Sequence, residues 1–171
     1  WGTALAAVAA GAGAKVSLWA REPDVVESIA KTRENARFLP GAKLSKEIEP
    51  TGDIARALTG ADAILLTSPA QHLRTMLLTL KPHMKPGTPL VVCAKGIELG
   101  SGLLVTEVLD EIVHDAEPAV LSGPSFAAEV ARGLPCALTL ALPDTGVRRE
   151  GAGMLDGGRV AFVEADDDLA G

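Results

Sequence analysis

Short apolar runs alternate with helix-like segments along the chain, and this alternation constrains the fold more than any other feature. Four runs are mostly apolar and lie at 15–19, 63–67, 90–94 and 160–163. Strands that are buried on both faces are typically continuous apolar runs of this kind. Segments between them, such as 71–80 and 103–113, carry apolar residues at helical spacing. Alternating strands and helices predict an α/β domain, a parallel sheet with helices on both faces.

The same patterns place the remaining elements. They predict an irregular stretch over 34–48, strands at 119–121 and 137–142, and helices over 1–12, 24–32, 53–58, 126–131 and 148–155. No repeat and no clear linker interrupts this order, so we expect one domain.

Composition excludes several classes of function. The chain has 16 Lys and Arg against 22 Asp and Glu, and a net charge of −6, which argues against a nucleic-acid partner. No apolar run approaches the roughly 18 residues of a membrane span, and no secretory signal is visible. Cys93 and Cys136 lie in apolar runs and are predicted to be buried thiols of a cytoplasmic protein. His72, His83 and His114 lack the spacing of metal ligands, so no metal is expected.

Candidate site residues follow the predicted strands directly. Doubly wound parallel sheets bind ligands at the carboxyl ends of their strands, which meet along one edge. The residues that follow four of the predicted strands are Ala20-Arg21, Ser68-Pro69, Lys95-Gly96 and Ser122-Gly123-Pro124-Ser125.

The start of the chain fits the end of a dinucleotide-binding turn. In such folds a strand leads through G-x-G-x-x-G into a helix, and Gly2 fits the third glycine, which lets the helix pack on the sheet. Arg21 follows Gly2 by 19 residues, where an arginine accommodates the 2′-phosphate of NADP. Arg21 thus slightly favours NADPH, whereas the adjacent Glu22 is an acceptor for a ribose hydroxyl and keeps NADH open. The opening in a helical pattern at Trp1 predicts a fragment cut at both ends.

Five stretches together resemble the bacterial NAD(P)-dependent glycerol-3-phosphate dehydrogenases, and the resemblance covers essentially the whole chain. They are WGTALA at 1–6, LWAR at 18–21, RENARFLPG at 33–41, AKGIE at 94–98 and LSGPSFAAEVARGLP at 121–135. The resemblance implies a Rossmann-type doubly wound, mainly parallel sheet that lacks its first strand. Residues 1–171 would then be a partial NAD(P)-binding domain, without the family's C-terminal all-helical domain.

The same resemblance implies an activity and a set of contacts. The family reversibly reduces dihydroxyacetone phosphate to sn-glycerol 3-phosphate with NADH or NADPH, for glycerophospholipid synthesis. By resemblance the cofactor contacts are Trp1, Arg21, Phe38, Lys95 and Ala127, and the substrate contacts are Lys95, Gly123 and Ser125. The general-base lysine would lie outside this chain, in the C-terminal domain. That domain would also be the contact of a homodimer.

These residue types suit a phosphorylated ketone. The Lys95 ammonium beside the carbonyl would stabilise the alkoxide that forms when hydride arrives, although a lone lysine after a strand is often only a solvated side chain. Ser125 precedes a helix whose free N–H groups favour an anion, or it is simply the N-cap. Phe38 covers either a ligand or the edge of the core.

Other functions remain open on the sequence alone. A ketopantoate reductase or a β-hydroxyacid dehydrogenase would share the cofactor fold, and a non-catalytic NAD(H)-sensing module would not need Lys95. Because the first strand is central in this fold, its loss would leave neighbouring strands unpaired. We therefore expect the 171-residue chain by itself to be poorly stable and inactive.

Overall fold

The computed structural model describes residues 1–142 and 158–164, in which seven strands form one sheet flanked by helices. The strands are β1 (Lys15–Ala20), β2 (Ile48–Thr51), β3 (Ala63–Leu66), β4 (Pro89–Val92), β5 (Glu117–Ser122), β6 (Thr139–Ala141) and β7 (Arg159–Glu164). The helices are α1 (Gly2–Gly11), α2 (Pro23–Thr32), α3 (Ile54–Leu58), α4 (Leu73–Leu80), α5 (Val105–Ile112) and α6 (Ala127–Ala131). Short 3₁₀ turns occupy Ala70–His72 and Lys81–His83.

The sheet confirms the predicted doubly wound α/β class. Its strand order is β2-β1-β7-β3-β4-β5-β6, and every pair is parallel except β5 with β6. The structure adds β2, which begins at residue 48, the last residue of the stretch predicted to be irregular. It shortens the strand predicted over 137–142 to an exposed edge strand of three residues. The helix predicted over 148–155 lies outside the described residues.

The position of β7 overturns one expectation. In the usual order 3-2-1-4-5-6 of this fold, the first strand lies between the strands that correspond to β1 and β3. Here β7 fills that place: Phe162 is in register with Leu18 of β1 and with Leu65 of β3, parallel to both. The prediction that these neighbours are left unpaired is therefore wrong. Residues 160–163 are wholly apolar and buried, so they suit a central strand.

Alternate side chains of β7 enter the two layers of the core. Ala161 and Val163 pack in the cluster that contains the apolar faces of α4 and α5. Val160 and Phe162 pack on the other side, in the cluster that contains those of α1 and α2. One strand thus joins both layers. Among the described helices, none combines the length and the apolar character that a membrane crossing requires.

The two cysteines have different environments. Cys93 is buried just after β4, as predicted, but Cys136 is exposed, so the prediction that both are buried is wrong. The reason lies in the sheet order: Cys136 lies three residues before β6, a strand at the edge of the sheet whose residues are all exposed.

Candidate active site

Two neighbouring cavities lie along the carboxyl edge of the sheet. The first, here called the Lys95 cavity, has a volume of about 400 Å³. Its lining includes Trp1, Ser68, Cys93, Lys95, Gly123, Ser125, Phe126 and Ala127. The second, called the Glu22 cavity, has a volume of about 280 Å³, and its lining includes Trp1, Ala20, Glu22, Phe38, Thr67 and Glu164. Trp1, Thr67 and Pro69 line both, so the two cavities adjoin.

Lys95 and Gly123, predicted from different motifs, are in direct contact. The Lys95 Nζ donates a hydrogen bond to the Gly123 carbonyl oxygen at 3.2 Å. The backbone turns at Gly96, whose φ of +119° is strained for any residue with a Cβ. Gly123 is equally constrained, because a Cβ there would lie 2.4 Å from the Ala137 carbonyl oxygen. Both glycines thus serve to bring the lysine against the end of β5.

Two serine hydroxyls in the Lys95 cavity have no hydrogen-bond partner in the described part of the chain. They are the Oγ atoms of Ser68, which is 1% exposed, and of Ser125. Unpaired buried hydroxyls are costly, so such groups call for a polar ligand. The resemblance assigned a contact to Ser125 but none to Ser68, which the sequence analysis singled out only because it follows the strand predicted over 63–67. Within residues 1–142 and 158–164, no three His, Cys, Asp or Glu side chains come together as a metal site requires.

Glu22 offers an acceptor at the far end of the Glu22 cavity. Its side chain is largely buried, its Oε1 accepts no hydrogen bond, and the Arg21 Nε lies 3.5 Å from that oxygen. Arg21 itself is exposed and lines neither cavity. The predicted cofactor contact Arg21 therefore lies at the rim, and the carboxylate beside it lies inside.

Phe38 lines the Glu22 cavity on a loop that is anchored to α1. The Phe38 amide donates to the Asn35 Oδ1 at 3.0 Å, and the fully buried Asn35 donates from Nδ2 to the Thr3 Oγ1 at 2.8 Å. The Arg37 guanidinium lies 4.8 Å from the centre of the Phe38 ring. Asn35 is a positioning residue that the sequence analysis did not single out, although it lies in the RENARFLPG stretch.

An anion already lies at the start of α1. The Glu164 carboxylate accepts a hydrogen bond from the Thr3 Oγ1 at 2.6 Å, and Glu164 lines the Glu22 cavity together with Trp1. Helix N-termini favour negative charge, and in dinucleotide folds the pyrophosphate occupies this position. In this structure the Glu164 carboxylate lies at that position, in the lining of the Glu22 cavity, which adjoins the Lys95 cavity at Trp1.

Comparison with known proteins identifies the family. Residues 1–147 match the family described as NAD-dependent glycerol-3-phosphate dehydrogenase N-terminus. A glycerol-3-phosphate dehydrogenase (NAD(P)+) of Parvibaculum lavamentivorans is 57% identical over 144 residues, which cover 84% of this chain and 43% of the relative. The enzyme of the same name from Rhodospirillum rubrum is 47% identical over all 171 residues, or 49% of its own length.

Solved structures show the same fold. A crystal structure of glycerol-3-phosphate dehydrogenase from Coxiella burnetii has a TM-score of 0.83 and 34% identity, and the match covers 98% of this chain and 51% of that one. The chain therefore spans about half the length of the relatives that it matches. With the family match, the identities and the site motifs in agreement, the chain belongs to the NAD-dependent glycerol-3-phosphate dehydrogenase family, whose N-terminal region it matches.

Proposed function

We propose that this chain is the partial NAD(P)-binding domain of an oxidoreductase. The enzyme reversibly reduces dihydroxyacetone phosphate to sn-glycerol 3-phosphate with NADH or NADPH, as a source of the glycerophospholipid backbone. The contact between Lys95 and Gly123 carries the proposal; it lies in a cavity with two serine hydroxyls that find no hydrogen-bond partner among the residues that the structure describes. A non-catalytic NAD(H) sensor has no need of an ammonium there, and the family match favours the dehydrogenase over a ketopantoate reductase or a β-hydroxyacid dehydrogenase.

The proposed role of Lys95 follows from the chemistry of a ketone. Reduction adds a hydride to the carbonyl carbon and a proton to its oxygen, and negative charge develops on that oxygen as the hydride arrives. A fixed ammonium at the mouth of the Lys95 cavity stabilises this charge. The Ser68 and Ser125 hydroxyls supply further polar contacts to the substrate, and Gly123 holds the lysine through its carbonyl oxygen.

The nicotinamide cofactor supplies the hydride when it is bound. We assign its adenosine end to the Glu22 cavity, where Trp1 and Phe38 offer aromatic surface. The Glu22 carboxylate, whose Oε1 accepts no hydrogen bond from the described residues, suits a ribose hydroxyl, and the guanidinium of Arg21 beside it suits a 2′-phosphate. We assign the nicotinamide end to the Lys95 cavity, which Ala127 lines from the start of α6. The presence of both the Glu22 carboxylate and the Arg21 guanidinium supports use of both NADH and NADPH.

The remaining parts of the proposal concern the rest of the enzyme. A C-terminal helical domain would supply the general-base lysine, the groups that hold the substrate phosphate and the contact of a homodimer. The half-length match to relatives supports the domain division, and the free thiols of Cys93 and Cys136 support a cytoplasmic location.

The test uses protein expressed from the complete reading frame that contains these 171 residues. Oxidation of NADH and of NADPH is followed on addition of dihydroxyacetone phosphate, for the wild type and for Lys95→Ala. We expect kcat/KM of the variant to fall by about 10²- to 10³-fold, the usual effect of removing one donor to a developing oxyanion.

Lys85→Ala is the matched control, because Lys85 is an exposed lysine that lines neither cavity. It should keep the wild-type rate. Absence of turnover with both cofactors, or a Lys95→Ala enzyme as fast as the wild type, would refute the proposed function.

A further inference from the structure

Two side chains outside both cavities hold the segment that follows Lys95. Arg74, in the first turn of α4, forms a bidentate ion pair with Glu98: its Nε lies 2.9 Å from Oε1, and its Nη2 lies 2.9 Å from Oε2. Glu98 is only 9% exposed, and its Oε2 also accepts a hydrogen bond from the Ser101 Oγ at 2.5 Å. A second carboxylate, of Glu111 on α5, lies 2.9 Å from the same Nη2.

Gln71 holds the backbone of the same segment. Its Nε2 donates to the Ile97 carbonyl oxygen at 2.9 Å, and its Oε1 accepts from the Leu99 amide at 2.8 Å. The side-chain amide thus pairs with the chain as a neighbouring strand would. Three consecutive residues, 97–99, are fixed by two side chains that lie one helical turn apart.

The segment is joined to Lys95 through a single residue. Gly96 turns the backbone sharply at its φ of +119°, and on the other side only Cys93 and Ala94 separate Lys95 from the end of β4. The lysine side chain is exposed, and within residues 1–142 and 158–164 its Nζ donates only to the Gly123 carbonyl oxygen. The place of its ammonium is therefore set by the Gly123 carbonyl oxygen and by the backbone at residues 94–96, which is held by the sheet on one side and by Arg74 and Gln71 on the other.

We infer that Arg74 and Gln71 are positioning residues, which fix the Lys95 ammonium for the reaction by clamping residues 97–99. Glu98 is fully engaged by Arg74 and Ser101, and the guanidinium holds the pKa of its carboxyl below the usual range. Glu98 is thus a fixed anchor. The inference rests on the proposed function, because it requires Lys95 to act on the substrate.

Geometry at a reacting centre is more demanding than stability. A misplacement of about 1 Å far from the chemistry costs on the order of 10²-fold in rate. A partly exposed ion pair, by contrast, adds little net stability, because water screens the attraction and two long side chains must be held in one geometry; the Arg74 side chain is 29% exposed. The Arg74–Glu98 pair therefore acts mainly on the position of residues 97–99, and through them on that of the Lys95 ammonium. A lysine in place of Arg74 keeps the charge but loses the planar fork.

The test compares Arg74→Lys and Gln71→Ala with the wild type, again in the complete reading frame. For each we expect kcat with dihydroxyacetone phosphate to fall by about 10- to 100-fold while KM for NADH changes less than about twofold. Arg56→Lys is the matched control, because Arg56 is exposed on α3 and lines neither cavity. If Arg74→Lys does not fold, Gln71→Ala decides alone.

Combination with Lys95→Ala separates positioning from a structural role. A residue that acts through Lys95 has no further effect once the lysine is gone, whereas independent effects on the rate multiply. Hydrogen exchange supplies a readout that does not depend on turnover: amides of residues 97–104 should exchange faster in both clamp variants, with β1 unchanged.

The outcomes distinguish the two proposals. Wild-type exchange at residues 97–104 in the clamp variants, wild-type kcat, or effects that multiply with Lys95→Ala would each overturn the clamp. If Lys95→Ala abolishes turnover and the clamp variants do not slow it, the clamp fails and the proposed function stands. If the wild type has no turnover, the proposed function fails, and the role assigned to the clamp fails with it.

Discussion

At the scale of single residues, burial separates the two thiols. Burial raises the pKa of Cys93 from 9.0 to about 12, whereas Cys136 is exposed beside the edge strand. We expect a thiol-specific disulfide reagent at about pH 8 to label Cys136 quickly and Cys93 only on unfolding, because the thiolate is the reactive form. Mass spectrometry of the labelled peptides measures both rates.

The same pKa shift makes stability depend on alkaline pH. The folded state binds the Cys93 proton more tightly than the unfolded state, so its contribution to stability is complete below pH 9.0 and is lost as pH rises towards about 12.

Cys93→Ser is the control for labelling and must leave the rapid Cys136 reaction unchanged. Rapid labelling of Cys93 in the native protein would contradict the buried position after β4.

At the scale of elements, the start of α1 depends on the absence of one side-chain atom. A Cβ at Gly2 would lie 2.5 Å from the Thr67 Oγ1, which donates to the Val163 carbonyl oxygen and therefore has little freedom to move. We expect Gly2→Ala to lower the free energy of unfolding by about 1–3 kcal/mol, the usual cost of overpacking. Chemical denaturation measures it.

Gly11, at the other end of α1, is the matched control. A Cβ there meets nothing within 4 Å, and alanine is the better helix former by roughly 0.5–1 kcal/mol. Gly11→Ala should therefore be neutral or stabilising. A Gly2→Ala protein as stable as Gly11→Ala would mean that α1 does not pack against the end of β3 as described.

Sequence patterns located the elements well where the burial was uniform. The runs that became β3 and β4 are short and apolar throughout, which is typical of strands buried on both faces. Residues 48–51 read Ile-Glu-Pro-Thr, with an exposed glutamate and a proline, and β2 at the sheet edge was missed for that reason. Lys95 and Gly123 were found by resemblance, but Gln71 and Arg74 were not, since their roles arise only when α4 packs beside residues 97–99.

At the scale of the whole molecule, β7 joins two parts of the sheet that local patterns could not connect. Its strand character was evident from residues 160–163, but its place depends on pairing across more than 90 residues, with β1 on one side and β3 on the other. Long-range pairing of this kind leaves no periodic signal. The central slot beside β1 and β3 was expected to be empty, and the six residues of β7 complete the hydrogen bonding of both neighbours.

Truncation of the Phe162 side chain tests whether β7 makes the fold a single cooperative unit. The Phe162 side chain is fully buried in the layer between the sheet and the helices α1 and α2, so Phe162→Ala should lower the free energy of unfolding by about 3–5 kcal/mol. Denaturation followed by far-ultraviolet circular dichroism reports the whole chain, whereas fluorescence reports Trp1 and Trp19, beside β7 and in β1. Both midpoints should fall together. Phe126→Ala, at a site 74% exposed, should change the free energy of unfolding by no more than about 0.5 kcal/mol with either probe. Midpoints that separate would show that β1 and β3 hold together without β7.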